Sequence, residues 1–276
     1  MRRTRTRRPN VLGGLLGTFW LVVTLVPVYY IVVTSIRPRE DYFTSNPFSV
    51  PTDPTLAAYR EVLDAGFMTY LVNSLVVTVV TVAVTVVLSL MAAYVIVHNR
   101  SATSRRTFDV LLLGIAIPIQ ATIVPVYYLI VRLGLYDTLW ALILPSIAFA
   151  IPISVLILVN FVRDIPRELF ESMRLDGASE WSLLWRLVAP MTLPAIITVA
   201  IYDALNVWNA FLFPLILTQS ADKRVLPLSL WTFQGAFTVN VPAILAAVVL
   251  SVLPLLVAYA IGRRFLVSGL TAGFSK

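Results

Sequence analysis

The chain of 276 residues has no cysteine and a single histidine, His98. The first absence removes a disulfide framework, a thiol nucleophile and a thiolate metal site, and the second removes the usual proton carrier. No Ser/His/Asp constellation, paired-carboxylate site or His-rich metal motif can be assembled from what is left, which argues against a membrane enzyme. Charge is scarce as well, at 13% of residues, where a soluble domain carries roughly a quarter. A Gly-x-x-x-x-Gly-Lys-Ser/Thr phosphate loop is also missing, so if ATP drives any work here another subunit must bind it.

Apolar residues make up 59% of the chain and its mean hydropathy is +0.87. Apolar runs long enough to cross about 30 Å of hydrocarbon recur at 11–36, 69–97, 108–131, 139–162, 191–217 and 242–262. Hydrocarbon offers backbone groups no partners, so runs of this length predict an all-α integral membrane protein of six transmembrane helices. A basic arm, residues 1–10, precedes a single membrane domain, 11–276. The first run ends in Thr34-Ser35-Ile36-Arg37 without a small-residue cleavage pattern, so it reads as an uncleaved anchor.

Six spans place both termini and alternate loops on one side. That side collects 15 of the 21 Lys and Arg residues and the other side 6. The positive-inside rule then predicts cytoplasmic termini, and the net charge of +7 reads as topology and not as nucleic-acid binding by the arm.

The longest cytoplasmic loop, 163–190, reads RDIPRELFESMRLDGASEWSLLWRLVAP. Pro166 and Gly177 bracket a short helix, supported by the spacings Arg167 to Glu171 and Glu171 to Arg174. Leu169, Phe170 and Met173 form an apolar patch that needs either lipid or a protein partner. Ser179 suits the cap of a second helix running into the fifth span at Pro190.

In this loop Glu171-Ser172-Met173, then Gly177, Leu187 and Pro190 match the order Glu-Ala-Ala, three residues, Gly, nine residues, Ile, one residue, Leu-Pro at identical spacing. Ser172, Met173, Leu187 and Ala189 depart from it in identity. The pattern resembles the signature loop of permease subunits in binding-protein-dependent ABC importers. Trp208 to Thr218 (WNAFLFPLILT) and Arg263 to Gly273 (RRFLVSGLTAG) are similar to the carbohydrate group of these permeases, the tail to its maltose-type second permease. The resemblance implies the type I importer (MetI-like) fold in a bacterial or archaeal plasma membrane. It also implies a second permease subunit, two ATP-binding cassette subunits that carry ATP-Mg, and an extracytoplasmic sugar-binding protein, with no cofactor on this chain. Glu168, Glu171, Met173, Asp176, Gly177, Ala178 and Pro190 would then couple to the ATPase. Lys223, Arg224, Trp231 and Phe233 in the extracytoplasmic loop 218–241 would face the binding protein, or else form an interfacial cover with Trp231 as anchor.

Asp203 is the one acidic residue placed well inside a span. Tyr202, Asn206, Asn209 and Phe213 follow it at helical spacing, giving a polar and aromatic stripe suited to sugar hydroxyls and ring faces. The bland alternative is hydrogen bonding between helices. A proton- or cation-coupled secondary transporter built on Asp203 is the rival function. Ser74, Thr78, Thr81, Thr85 and Ser89 line one face of the second span and read as a packing stripe. Pro118, Pro125 and Gln120 interrupt the third span, and Pro152 and Pro254 the fourth and sixth, while His98 reads as a solvated helix-end residue.

Overall fold

A computed structural model describes residues 11–99, 101–233 and 239–272, and the side chains of all these except 232 and 261–272. The basic arm, 1–10, and the side chains of the tail from 263 therefore lie outside what is described. The helices in chain order are α1 (Val11–Ser35), α2 (Ala57–Asp64), α3 (Phe67–His98), α4 (Ala102–Leu113), α5 (Ile123–Arg132), α6 (Trp140–Arg163) and α7 (Arg167–Leu175). They continue as α8 (Glu180–Leu183), α9 (Ala189–Met191), α10 (Leu193–Trp208), α11 (Leu212–Leu217), α12 (Leu226–Ser229) and α13 (Val241–Ala272). No β-strand occurs among the described residues.

Helices α1, α3, α6 and Val241–Ala260 of α13 are each long and apolar enough to cross a membrane. Two further spans are bent pairs: 102–116 with 119–132, bent by 98°, and Glu180–Met191 with Leu193–Trp208, bent by 78°. Six spans result when each pair counts once. The third and fifth are thus not the continuous helices expected from 108–131 and 191–217.

The residues cluster into two units, Met1–Gly66 with Leu230–Leu253, and Phe67–Ser229 with Pro254–Lys276. In the smaller unit α1 exposes its apolar side chains from Val11 to Tyr29. The loop after it is organised by Arg37, only 1% exposed, whose guanidinium donates to the Ser45 hydroxyl and to the Ser49 carbonyl at 2.5 Å. Burying a charge is tolerable when such acceptors surround it. Glu61 on α2 accepts both hydrogen bonds from Asn240 Nδ2, at 2.9 and 2.8 Å, fastening α2 to the start of α13.

In the larger unit α3 packs along α6, and α10 lies against both. The five small polar residues of α3 are all buried, as a packing stripe requires, and Ser74 at its head accepts from the Leu226 amide at 2.8 Å. Asn73 beside it donates to the carbonyls of Asp222 and Arg224, both at 2.8 Å. One end of α3 thereby fixes the 222–226 segment.

The break in the third span follows from its residues. Ile117 is extended (φ −81°, ψ 114°), as the residue before Pro118 must be, so α4 cannot run on into α5. Gly114 at the end of α4 lies against Pro152, and a Cβ there would come within 3.0 Å of the proline ring. Pro125 sits in the first turn of α5, where it disrupts little. Before the fifth span a π-turn, Leu184–Val188, widens the helix, and this accommodates Pro190, whose ring would crowd the Arg186 carbonyl in a regular helix.

Asp137 holds another junction in the same unit. Its backbone is left-handed (φ 60°) and its carboxylate accepts from the amides of Gln219 and Ser220 at 2.8 and 3.0 Å and from the Ser220 hydroxyl at 2.5 Å. These bonds, led by the Ser220 hydroxyl, hold its carboxyl below the usual carboxylate range.

Two outcomes follow. The Thr81 hydroxyl has no hydrogen-bond partner among the described residues, so Thr81→Val should leave the melting temperature unchanged or raise it, whereas Thr81→Leu should overpack the interface and cost about 1–3 kcal/mol. Because the folded-state pKa of Asp137 is depressed, its stabilisation is complete above roughly pH 4 and disappears as pH falls through the folded value. The difference in melting temperature between the wild type and Asp137→Asn should accordingly be present at neutral pH and vanish in acid.

Candidate functional site

The backbone leaves the α-helix at 114–122, inside the third span, and at 209–211, between α10 and α11, and residues of both stretches line a cavity of about 350 Å³. Ile119 lines it from the first break, Ala210 and Phe211 from the second. Irregular backbone is tolerated in a bilayer only where protein buries it or where it borders a wet cavity, so the coincidence marks the cavity as a built feature. Phe149 and Phe213 form its aromatic wall, with ring centroids 5.7 Å apart and planes at 50°. Tyr202, Asp203 and Asn206 supply its polar side from α10.

Four of the five stripe residues therefore converge. Asn209 does not, because α10 ends at Trp208. Asn209 is the capping residue of that end, and its Nδ2 bonds back to the Leu205 carbonyl at 2.7 Å. Phe213 reaches the cavity from the separate helix α11 and not from a continued α10. Asp203 is 1% exposed and its Oδ2 lies 2.9 Å from the Ser154 hydroxyl on α6, whose single proton is shared between this carboxylate and the Ala150 carbonyl at 2.8 Å. The carboxylate thus joins two helices at the cavity edge. Sequence alone missed Phe149, Ser154 and the lining role of Ile119. Only the break at Pro118 pointed towards the last.

At the far end of α6, the segment 163–191 folds back on the unit. Phe170 is buried 4.1 Å (centroid to centroid) from the His98 ring, which also stacks on Tyr94 at 4.5 Å. His98 is therefore held between aromatic rings and is not merely solvated. Met173 and Ala178 also turn inward against the core of Leu90, Tyr94, Val162, Leu183 and Leu184, so the chain itself covers most of the apolar patch. Glu168, Glu171, Asp176, Gly177 and Pro190 are exposed, as are Leu169 and Leu175, the last at 89%.

Gly177 has a physical reason to be glycine. Its φ is +82°, the amide of Ala178 bonds to the Met173 carbonyl at 2.9 Å, and its own amide bonds to the Arg174 carbonyl at 3.0 Å. This is the paired closure that ends a helix with a left-handed residue. Ser179 then caps α8 by accepting from the Ser182 amide at 3.3 Å. The expected pairing of Glu171 with its helix neighbours is replaced: Arg174 reaches Glu180 at 3.0 Å, and the Tyr94 hydroxyl donates to the same carboxylate.

Of the four residues expected at the binding-protein face, Lys223 pairs with Asp222 at 2.7 Å and Arg224 is partly exposed with its carbonyl engaged by Asn73. Trp231 is 53% exposed, whereas Phe233, contrary to the expectation of a surface residue, is buried at 8%. No group of three or more His, Asp or Glu side chains that could hold a metal occurs among the described residues.

A family model described as the binding-protein-dependent transport system inner membrane component matches residues 85–271. The chain belongs to this family. It is 37% identical over 257 residues, 93% of this chain and 94% of the relative, to a putative ABC transporter permease protein, ORF2, of a Caldicellulosiruptor species. It is 30% identical over 270 residues, 97% and 89% of the two chains, to the diacetylchitobiose uptake system permease protein NgcG of Streptomyces coelicolor. In fold it is similar to a chain of a bacterial ABC transporter involved in the import of the acidic polysaccharide alginate (TM-score 0.81, 20% identity, 96% and 99% coverage). A chain of the MetNI methionine ABC transporter is more distant (TM-score 0.58, 18% identity, 77% and 98% coverage). Family membership makes the chain a multi-pass transport subunit and not an enzyme, and it supports the importer reading and not the ion-coupled one.

For an importer subunit, Asp203→Asn keeps the bond to Ser154 without the charge. Transport by the assembled complex should fall by less than about fivefold, the equivalent of roughly 1 kcal/mol for a weakened hydrogen bond. A carboxylate that carries a proton or cation would lose transport altogether.

Proposed function

We propose that the chain forms half of the translocation pathway of an ATP-driven saccharide importer, with a second permease subunit forming the other half. The observation that carries the cargo is the cavity. Phe149, Phe213 and Tyr202 offer ring faces for sugar C–H surfaces, and Asn206 and Asp203 offer hydrogen bonds to hydroxyls. Its size is at the low end of ligand sites, roughly 300–1,000 Å³, which fits one or two sugar rings passing in single file. Relatives named for uptake of diacetylchitobiose and arabinooligosaccharides support the same class. The methionine transporter among the fold neighbours is a reminder that the architecture alone sets no cargo.

In this reading both termini and the loop 163–190 are cytoplasmic in a bacterial or archaeal plasma membrane, with 15 of the 21 basic residues on that side. The exposed Glu168, Glu171, Leu175, Asp176 and Gly177 present a ridge to an ATP-binding subunit, which holds ATP-Mg. Lys223, Arg224 and Trp231 face an extracytoplasmic binding protein. Exposed apolar flanks such as α1 are covered by lipid and by the partner permease.

The test is saccharide-stimulated ATP hydrolysis and uptake in proteoliposomes holding the full complex and its binding protein. Phe213→Ala should raise the half-saturating saccharide concentration about tenfold, roughly 1.4 kcal/mol, with unstimulated hydrolysis unchanged. Gly177→Val, forced into a left-handed backbone at about 1–2 kcal/mol, should abolish stimulation while the binding protein still binds its sugar. Stimulation by amino acids and by no saccharide would sink the cargo reading.

A further inference from the structure

A second cavity, of about 590 Å³, lies where α3 and α6 end and α4 begins, roofed by α7. Its charge is one-sided. Arg105 from α4, Arg163 from the last residue of α6, and Arg167 and Arg174 from α7 all line it, against the single lining carboxylate of Glu171. Arg174 is neutralised by Glu180 at 3.0 Å. Arg105, Arg163 and Arg167 have no carboxylate within ion-pair distance among the described residues. Arg163 lies over the Phe108 ring, 5.6 Å from its centroid, which holds the guanidinium at the cavity wall.

Converging arginines without acidic partners repel one another unless an anion joins them, and their planar forks match phosphate oxygens in pairs. The depth of the site narrows the anion. His98 and Arg163 are the last residues of two helices long and apolar enough to cross a membrane, so a headgroup region at the ends of those helices would meet the cavity. Its apolar wall is Ile96 and Val97 near the end of α3, Val162 near the end of α6 and Phe108 on α4.

We propose that this cavity binds a phosphate group at the membrane boundary, that of an anionic phospholipid headgroup, with Arg105, Arg163 and Arg167 as its ligands and Phe108 beside the glycerol and first acyl carbons. The site is separate from the saccharide cavity and shares only Glu171 with the exposed ridge. A lipid seated there would brace α7 against the ends of α3 and α6.

The experiment is native mass spectrometry of the detergent-purified complex, titrated with phosphatidylglycerol, with phosphatidylcholine and with inorganic phosphate. Expected is one phosphatidylglycerol retained at least tenfold more tightly than phosphatidylcholine. Arg105→Gln/Arg163→Gln should weaken it at least tenfold and Arg105→Lys/Arg163→Lys by less than threefold, with unchanged melting temperatures separating loss of the site from loss of the fold. Inorganic phosphate at millimolar concentration should not displace the lipid if the headgroup is the ligand; displacement would keep the phosphate site and assign it to the soluble ion. Equal retention of both lipids, or retention untouched by the glutamine pair, would overturn the proposal.

Discussion

A peptide group in hydrocarbon has no water to bond to, and the rest of this molecule is arranged around that constraint. It forces apolar segments into helices closed on themselves, and it limits where a helix can be interrupted. The chain opens the α-helix at 114–122, inside the third span, and at 209–211, where α10 ends, and places both openings on one cavity shared with α6, whereas the bend before Leu193 does not line it. Gly114 is what lets the first break approach α6, because a Cβ there would press on Pro152. Two prolines and a glycine, each unfavourable in an isolated helix, thus combine into a bend that protein contacts support.

The same reasoning applies at the boundary, with water now allowed on one side. Helix α7 leaves the membrane span at Arg163 and buries Phe170, Met173 and Ala178 against the ends of α3 and α6. Burying a side chain of this kind is worth about 1.5–3 kcal/mol where water would otherwise wet it. The left-handed turn at Gly177 then reverses the chain so that α8 packs beside α7. The loop is rigid for internal reasons, and that rigidity lets its outer residues act as a surface of fixed shape.

Hydrophobic length made the six spans legible, and the ends of α3 and α6 fall within two residues of the expected bounds. The Gly177 turn was legible too, because a left-handed helix end leaves a residue-type signature. The 98° and 78° bends were not, since Pro118 and Pro190 are equally compatible with mild kinks, and the side on which backbone opens depends on the neighbour it meets. The stripe from Tyr202 to Phe213 was read as one helical face, but a face holds only while the helix does, and α10 stops at Trp208. Arg174 chose Glu180, six residues away, over Glu171 on its own helix because the turn at Gly177 brings Glu180 beside it. Partners across a turn do not show in periodicity. Arg37 is a similar case: nothing in a lone arginine after a span announces that Ser45 and Ser49 will wrap it.

The α7 segment and the cavity of the larger unit are joined by one packed column. Phe170 touches a core that continues along α6 through Val162, Val159, Leu158 and Val155, and along α10 through Ala195 and Val199. One residue beyond Val155 is Ser154, one turn beyond Val199 is Asp203, and these two hydrogen bond at the cavity edge. Close-packed interiors transmit displacement instead of absorbing it. Sliding α6 against α10 would break the Ser154–Asp203 contact. The carboxylate at this crossing is costly to bury and would be costlier to leave unpaired, so the two helices are bound to move as a pair. In the importer reading proposed above, a motion imposed on α7 would therefore reach the cavity through α6, which carries Phe149, and α10, which carries Tyr202 and Asn206.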